Sequence, residues 1–321
     1  MDKIWDNYPG IKEELIEVLD LMKKNVKCKD KKIESSIIEL IEGGGKLLRP
    51  AFVLIGSKFG DNDKSKAIPT AAVIEMLHMA TLVHDDVIDD SKLRRGQETI
   101  QSKYGKDYAV YIGDYLFCVC FKILATNQSL QAIKVDSRAM SKICMGEVNQ
   151  LNSRFSMNFS VKDCLTRISG KTAELFSISL YLGAAECNAD KKVSKELANI
   201  GHNLGMAFQI IDDILDYEGN DKSIKKSAAN DLKQGIYTIP LIYAYKNNKS
   251  IFKKVLEKDN YTEEDVREII NLVKYNNGIV MAKELAGKYI NKCFKGIERL
   301  PNNEYKIVLK EIASWLLNRT Y

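Results

Sequence analysis

Residues 70–90 are apolar nearly all the way round a helix, which predicts a long, buried, central helix. Helical periodicity dominates the rest of the chain, and the alternation typical of strands hardly appears. Only five prolines occur in 321 residues, and we expect each of them where a helix starts or stops. The pattern predicts an all-α fold, a single large helical bundle that spans residues 1–321 as one domain.

Further helices are expected on both sides of this central one. Their predicted ranges are 11–22, 32–42, 51–59, 107–126, 135–152, 161–185, 194–218, 238–246, 263–275, 277–298 and 303–318. No composition shift, long linker or internal repeat divides them.

Composition excludes several classes of protein. With 45% hydrophobic residues and a net charge of +5, the chain is typical of an ordinary globular protein. Six lysines between residues 23 and 32 have no aromatic residues among them, so we interpret them as a solvated loop and expect no nucleic-acid partner. Seven scattered cysteines and the lack of a signal-peptide core in residues 1–20 favour reduced thiols and a cytoplasmic protein.

Two acidic clusters carry the pattern Asp-Asp-x-x-Asp inside apolar, helix-forming runs: Asp85, Asp86 and Asp89, then Asp212, Asp213 and Asp216. Positions i, i+1 and i+4 share one side of a helix, so we expect three carboxylates at one spot in each cluster. Crowded carboxylates repel and need a cation, and hard oxygen ligands favour magnesium. Two such triplets facing each other would hold a phosphate-bearing substrate through bridging metal ions.

Basic residues flank the first cluster. Arg94 and Arg95 follow it, and guanidinium groups bind phosphate bidentately. Upstream, three glycines at residues 43–45 precede Lys46 and Arg49, so backbone N–H groups and two cations can meet an anion. Either basic pair alone is more often solvent-exposed without a binding role, but beside the acidic clusters the two pairs predict a second diphosphate pocket.

Seven motifs in this order resemble those of the trans-isoprenyl diphosphate synthases, or polyprenyl synthetases. They are Gly44-Gly45-Lys46-x-x-Arg49-Pro50, His84-Asp85-Asp86-x-x-Asp89, Arg94-Arg95-Gly96, Gly113-Asp114-Tyr115-Leu116, Gly146-Glu147, Gly170-Lys171-Thr172-Ala173 and Phe208-Gln209-x-x-Asp212-Asp213-x-x-Asp216. The resemblance implies the isoprenoid-synthase bundle around a hydrophobic cavity. It also implies head-to-tail, all-trans condensation of isopentenyl diphosphate with an allylic diphosphate such as farnesyl diphosphate.

The resemblance assigns a role to each acidic residue. It implies three magnesium ions on the diphosphate of the allylic substrate. Asp85, Asp89 and Asp212 would be direct ligands. The second aspartate of each triplet, together with Asp216, would be a ligand or a support.

The same resemblance assigns the cations. Arg94 would assist the allylic diphosphate. Lys46, Arg49, His78 and Arg95 look like the pocket for isopentenyl diphosphate. His78 lies seven residues before Asp85, where the family has a diphosphate-binding side chain; taken alone, it would more often be a core histidine.

The chemistry that the family implies is ionisation of the allylic C–O bond, attack by the isopentenyl double bond and loss of a proton to diphosphate. A bare carbocation reacts with water, so the site must be dry and lined with oriented dipoles. Lys171 would point toward the leaving diphosphate, and the hydroxyl of Thr172 and the amide oxygen of Gln209 toward the cation. The hydroxyl of Thr172 can instead bond within its own helix.

One stretch departs from the family pattern. Lys226 keeps one expected cation after the second cluster, but Ile236 stands where family members carry a second lysine. The loss of a charged hydrogen bond would weaken binding by about 1.5–3 kcal/mol. Lys225 or Lys233 can substitute for it.

Product length in this family depends on what blocks a tunnel below the first cluster. Ala80 and Thr81 lie five and four residues before Asp85, about 7.5 and 6 Å down the helix. Short-chain synthases typically have an aromatic ring here, so the small Ala80 predicts a product of about C30 to C40, a respiratory-quinone side chain. Deeper candidates for the tunnel floor are Val73, Met76, Leu77, Phe117 and Phe121.

Several alternatives stay open. We expect a homodimer, but the chain could be the catalytic subunit of a heterodimer with a small regulatory partner. A shorter-chain farnesyl or geranylgeranyl synthase and a non-catalytic homologue are further alternatives. A terpene cyclase would leave Lys46, Arg49 and Arg95 without a task. At most a peripheral membrane contact is expected, for product release.

Overall fold

The computed structural model describes residues 1–43, 45–94, 96–158, 160–218, 231–258 and 261–318, and these are almost wholly helical. The predicted all-α class is therefore confirmed. The helices are α1 Pro9–Asn25, α2 Lys31–Glu42, α3 Leu48–Ser57, α4 Lys64–Ile88, α5 Ile100–Tyr104, α6 Lys106–Asn127, α7 Leu130–Ser153, α8 Val161–Ile168, α9 Glu174–Glu186, α10 Lys191–Glu218, α11 Ile239–Asn247, α12 Lys249–Leu256, α13 Glu263–Tyr275, α14 Gly278–Arg299 and α15 Glu304–Leu317.

Three shorter elements complete the described chain. A 3₁₀ helix spans Lys3–Asn7, and a π-helical turn, Ser169–Ala173, joins α8 to α9. Strands β1 (Leu93–Arg94) and β2 (Gln97–Glu98) form an antiparallel hairpin directly after the first acidic cluster.

The helices group into two compact units. Unit 1 comprises Met1–Ser137, Ile178–Ala198 and Pro301–Val308. Unit 2 comprises Arg138–Ser177, Asn199–Leu300 and Leu309–Tyr321. The single domain expected over residues 1–321 stays a prediction.

Helix α4 is the centre of unit 1, as its composition predicts. Most of its side chains are buried, and it packs against α6, α3 and α1. The expectation that every proline lies at a helix end is wrong for Pro69, which lies inside α4. The helix begins earlier because the Asp63 side chain accepts the backbone N–H of Ser65 at 2.9 Å and caps its N-terminus.

Helices α4 and α6 are long and apolar enough to cross a membrane by length and composition alone. In α4, 72% of the most apolar 18-residue stretch is buried within the protein, as in a core helix. In α6 only 44% of the corresponding stretch is buried. Tyr111 and Phe121 on α6 are 72% and 64% exposed. One side of α6 is therefore an exposed apolar surface.

Unit 2 has a continuous hydrophobic core built largely from α11 to α14, with Phe252, Leu241 and Ile269 fully buried. A reciprocal capping box between Thr262 and Asp265 starts α13, and this helix has the bounds predicted for it. The predicted helix 161–185 is interrupted by the π-helical turn, which periodicity alone does not indicate.

Candidate active site

The three aspartates of the first cluster lie at the C-terminal end of α4, but their carboxylates do not converge. Asp86 is 7% exposed and is bound by Arg94, whose Nε lies 2.9 Å from Oδ1 and 3.1 Å from Oδ2. Nη2 of Arg94 lies 2.8 Å from the same Oδ1. Asp85 and Asp89 are half-buried. Asp86 therefore fixes the arginine of strand β1.

The expectation of three convergent carboxylates in each triplet is wrong. Neighbouring helical residues differ by about 100° in direction, so Asp86 leaves the side that Asp85 and Asp89 share. Within neither unit do the described residues gather three histidine, cysteine or acidic side chains closely enough to hold a metal ion. For Asp86 the contacts favour the supporting role over direct ligation.

His84 ties the end of α4 to α6. Its Nε2 lies 3.2 Å from the carbonyl oxygen of Val110 and 3.4 Å from Oδ1 of Asp114. A Cβ on Gly113 would come within 2.2 Å of the same nitrogen, so only glycine leaves room for the imidazole. The Gly113-Asp114 motif thus positions the helix end that carries the first cluster.

A cleft in unit 1 contains part of the predicted second diphosphate pocket. His78, Asp86 and Arg94 line it together with Gly45, above an apolar wall from α1, α2 and α4. Arg95 lies outside the described residues.

Lys46 and Arg49 are not among the described residues that line this cleft. Lys46 directly precedes α3, and its carbonyl oxygen accepts the indole N–H of Trp5 at 2.7 Å. Leu47 follows in the left-handed region at φ 50°, and Arg49 is the second residue of α3.

In unit 2, Thr172, Gln209 and Asp213 form a chain of hydrogen bonds. Oγ1 of Thr172 donates to Oε1 of Gln209 at 2.9 Å, and Nε2 of Gln209 donates to Oδ1 of Asp213 at 3.1 Å. Asp213 is 5% exposed, and burial raises the pKa of its carboxyl to about 8 against the smaller effects of Gln209 and Arg167. The buried carboxyl of Asp213 accepts the amide N–H of Gln209, so the contacts of Asp213 also favour a supporting role. The alternative bond of Thr172 within its own helix is not formed.

Close packing sets the geometry of this chain of bonds. Thr172 lies in the π-helical turn, a feature frequent at functional sites. A Cβ on Gly205 would lie 2.6 Å from Cα of Ala173, and one on Gly201 would lie 2.4 Å from the carbonyl oxygen of Phe176. Two glycines one turn apart therefore bring α10 close enough for Gln209 to reach Thr172.

Lys171 has a partner that sequence reasoning missed. Its Nζ lies 2.9 Å from Oε1 and 3.0 Å from Oε2 of Glu147 on α7. The Gly146-Glu147 motif was the available signal. Gly146 also faces Gly170 at ordinary van der Waals distance, so α7 can approach the π-helical turn. Glu147 thus holds the ammonium group predicted to face a diphosphate.

The remaining aspartates suit magnesium in pairs. Asp85, on α4, and Asp89, the C-cap of that helix, lie in unit 1, and Asp212 and Asp216 lie on α10 in unit 2. All four are half-buried, and the members of each pair are four residues apart. Magnesium usually takes one or two carboxylates, with substrate phosphates and water as its other ligands. Each pair is a donor set of this kind, so the residues fit the metal without a third protein ligand.

The family departure after the second cluster is only partly described. Lys225 and Lys226 lie outside the described residues. Ile236 is half-buried, and its N–H bonds the carbonyl oxygen of Asp231 at 2.8 Å. The next residue, Tyr237, accepts a hydrogen bond at its carbonyl oxygen from Nη2 of Arg167 at 2.9 Å.

On α4 the candidates for controlling product length are buried or half-buried, and their role stays a prediction. Ala80, Met76 and Val73 are fully buried, and Leu77 is 3% exposed. Thr81 is half-buried and donates its hydroxyl to the carbonyl oxygen of His78 at 2.8 Å.

On α6 both phenylalanines are wrong as floor residues of this chain. Phe121 is 64% exposed, and the Phe117 ring contacts His84 at 5.7 Å, level with the first cluster. An apolar helix does not reveal from its sequence which side faces inward. The α6 side chain at the depth of Val73 is Cys120, whose Sγ lies 3.9 Å from the Val73 carbonyl oxygen.

Comparisons with known proteins agree with this fold. The polyprenyl synthetase family model matches residues 30–273. Component 2 of the Bacillus subtilis heptaprenyl diphosphate synthase is 36% identical over 284 residues, covering 88% of this chain and 82% of that protein. The geranylgeranyl pyrophosphate synthase of Lactobacillus brevis has a similar structure, with a TM-score of 0.93, 34% identity and 99% coverage of both chains.

A further similar structure was solved with ligands. It is the Caulobacter crescentus polyprenyl synthase in complex with calcium and isoprenyl diphosphate, with a TM-score of 0.89, 31% identity and coverage of 96% and 95% of the two chains. The fold and the paired aspartates define a metal-dependent prenyltransferase. The chain belongs to the polyprenyl synthetase family, whose members are magnesium-dependent enzymes.

Proposed function

We propose that this chain condenses isopentenyl diphosphate with an allylic diphosphate, head to tail and all-trans, to a polyprenyl diphosphate of about C30 to C40. The observation that carries the proposal is a pair of half-buried aspartates at the end of each of two long helices, α4 and α10, with Arg94 bound to Asp86 beside the first pair. Asp85 and Asp89 accompany Arg94, and Asp212 and Asp216 follow Gln209 on α10.

The metal has a limited and defined part in the proposal. Bound magnesium neutralises the diphosphate leaving group, and we expect three ions. Asp85 and Asp89 would hold it on one helix, and Asp212 and Asp216 on the other. Asp86 keeps the guanidinium of Arg94 in a fixed direction, because both of its carboxylate oxygens accept from that group.

The residues of unit 2 suit stabilisation of a carbocation. Thr172 gives its hydroxyl hydrogen to Gln209, so lone pairs of Oγ1 remain for the positive charge. Asp213 holds the Gln209 amide from the other side. Dipoles fixed before the reaction stabilise developing charge without reorganisation. Thr172 is only 8% exposed, which helps to exclude water.

The proposed product length rests on Ala80. It is fully buried on α4, about 7.5 Å below Asp85, and its small side chain would not block a growing product. The B. subtilis relative is named a heptaprenyl synthase, which supports this length. The L. brevis structure is named a geranylgeranyl synthase, so a C20 product is the alternative.

The experiment is incorporation of labelled isopentenyl diphosphate into farnesyl or geranylgeranyl diphosphate, with magnesium and with EDTA. We expect magnesium-dependent incorporation that falls at least about 100-fold in Asp85→Asn and Asp212→Asn, since each removes one charged ligand. Asp20→Asn changes an exposed aspartate on α1 and is the matched control. Incorporation in EDTA equal to that in magnesium would overturn the proposal.

A second candidate is a catalytic subunit that needs a partner. The name of the B. subtilis relative, component 2, favours it, and the exposed apolar side of α6 offers a surface. We propose a homodimer first, in a compartment that keeps the seven free cysteines reduced, the cytoplasm. An inactive pure chain that becomes active with a second protein would favour the heterodimer.

A further inference from the structure

A polar cavity in unit 2 has no part in the proposed reaction. It encloses about 250 Å³ between the end of α7, the loop that follows and α8. Amide and hydroxyl side chains dominate its wall, among them Asn149, Gln150, Ser156 and Asn158. These side chains lie beside the hydrophobic core of the same unit and can form hydrogen bonds with a polar ligand.

Arg167 on α8 gives the cavity a positive charge. The side chain is half-buried, and Nη2 makes both of its hydrogen bonds, to the carbonyl oxygen of Tyr237 at 2.9 Å and to Sγ of Cys164 at 3.4 Å. Among the residues that the structure describes, Arg167 forms no ion pair with a carboxylate. Nε and Nη1 are therefore available to a ligand, in the fork geometry that suits phosphate oxygens.

A carboxylate, Asp163, also lines the cavity, but its position does not neutralise Arg167. Asp163 is exposed and accepts the hydroxyl of Ser160 at 2.6 Å, at the start of α8. Its charge still opposes an anion in the cavity. Removing the charge of Asp163 should therefore improve anion binding, so Asp163→Asn can test whether the cavity binds an anion.

The cavity adjoins the diphosphate chemistry along the chain. Arg167 lies one turn before Lys171 on the segment from α8 into the π-helical turn. Gly146, which lines the cavity, directly precedes Glu147, the partner of Lys171. Each prenyl transfer releases one diphosphate anion, the group that Lys171 is predicted to face.

We propose that this cavity is a metal-independent binding site for inorganic diphosphate, separate from the paired aspartates. The proposal rests on the prenyl-transfer reaction, which produces the ligand. Arg167 binds the anion, the amides of Asn149 and Gln150 donate to it, and Asp163 limits the affinity so that the anion leaves. Occupation of the site makes diphosphate a product inhibitor whose effect does not require the metal pairs.

Titration calorimetry of the full chain with sodium diphosphate in EDTA tests the site without relying on activity. We expect a site that loses about tenfold or more of its affinity in Arg167→Met and has an intermediate affinity in Arg167→Lys. It is distinct from the basic pocket predicted at Lys46 and Arg49, whose affinity Arg167→Met should leave unchanged. Asp163→Asn should bind a few times more tightly, because a like charge is removed. Asp85→Asn and Asp212→Asn should bind as the unchanged chain does. Arg267→Met, on an exposed arginine of α13, is the matched control.

Several results would overturn the proposal. They are no binding in EDTA, unchanged affinity in Arg167→Met, or loss of binding in Asp212→Asn. If Arg167→Met fails to fold by circular dichroism, Asp163→Asn and Gln150→Leu decide through opposite shifts in affinity. Orthophosphate in a parallel titration distinguishes a diphosphate site from a general phosphate site. Binding in EDTA by a chain that stays inactive in prenyl transfer after a partner protein is added would refute the proposed function alone.

Discussion

The second aspartate of each triplet shows how much depends on the direction of one side chain. Asp86 binds Arg94 and Asp213 binds Gln209, while the first and third aspartates stay on the shared side of their helices. The motif is visible in the sequence, but whether an aspartate is a metal ligand or supports a neighbouring side chain depends on the residues that its carboxylate contacts. Those neighbours, a hairpin arginine and a glutamine one turn earlier, come from the fold.

Substitution at the first cluster should separate the two roles. We expect Asp85→Asn to raise the magnesium concentration needed for half-maximal rate by about tenfold or more. Asp86→Asn should leave that concentration nearly unchanged and raise KM for the diphosphate substrate instead, because Arg94 loses a charged partner. Steady-state rates across a magnesium series measure both. Equal magnesium effects in the two variants would show that Asp86 is a ligand.

Asp136 on α7 carries a cost in stability. It is 2% exposed, and neither carboxylate oxygen has a hydrogen-bond partner among the described residues. Burial, with a smaller effect of Glu186, raises the pKa of its carboxyl from 3.8 to about 7. Between these values the folded chain holds a proton that the unfolded chain has released, so stability falls as pH rises through this window.

We therefore expect Asp136→Leu to raise the free energy of unfolding, by about 1–3 kcal/mol at pH 8 and by less at pH 5. Urea unfolding at the two pH values measures this difference. Asp20→Leu, on the exposed side of α1, should change the free energy by less than about 0.5 kcal/mol. A stabilisation that is larger at pH 5 would contradict the assignment of a raised pKa.

At the scale of the element, α4 combines the first cluster with the control of product length. Ala80→Phe should shorten the product by about two isoprene units or more, because the ring would lie about 7.5 Å below Asp85. Mass spectrometry of dephosphorylated products measures the shift. Val280→Phe on the exposed side of α14 is the control and should leave the length unchanged. Unchanged products in Ala80→Phe would place the growing chain elsewhere.

A glycine-to-alanine substitution should have opposite effects on stability at two positions, one in the contact of α10 with the π-helical turn and one on the open surface of α14. Gly205→Ala should destabilise the chain by about 1–3 kcal/mol and lower kcat, because its Cβ meets Cα of Ala173. Gly287→Ala on α14 meets nothing within 4 Å and should stabilise by about 0.5–1 kcal/mol. Thermal unfolding and rates together check both. A harmless Gly205→Ala would contradict the close approach.

Helix α13 and the α8–α9 segment show what periodicity can and cannot predict. The bounds of α13 follow from its capping residues and regular apolar spacing, so the sequence predicts them. The π-helical turn inside the predicted helix 161–185 depends on the packing of α10 and α7, which has no local signal. The inward side of α6 is hidden for a similar reason, since apolar residues occupy both of its sides.

For the whole molecule, the exposed side of α6 bears on assembly. Tyr111 and Phe121 are large aromatic side chains exposed on the same helix, and exposed apolar surface of this kind is typical of an interface. We expect a second copy of this chain to cover it. Light scattering should give twice the chain mass of 36.3 kDa. Tyr111→Glu should lower that mass, whereas Tyr275→Glu, on an 87% exposed tyrosine of α13, should not. A monomeric unchanged chain would contradict this expectation.

The motifs of the two aspartate clusters predict the family from sequence alone, and the family model confirms it. The partner of Lys171 and the cavity at Arg167 depend on which helix faces meet, so they emerge only from the three-dimensional structure.

The most direct measurement is the mass of the products that the pure chain makes from isopentenyl diphosphate and farnesyl diphosphate with magnesium. We predict polyprenols of six to eight isoprene units (about C30 to C40), since the small, buried Ala80 does not block growth. Products that stop at four units, one condensation beyond farnesyl diphosphate, would contradict the proposed length and retain the reaction. No product from farnesyl diphosphate, even after a partner protein is added, would contradict the proposed function itself.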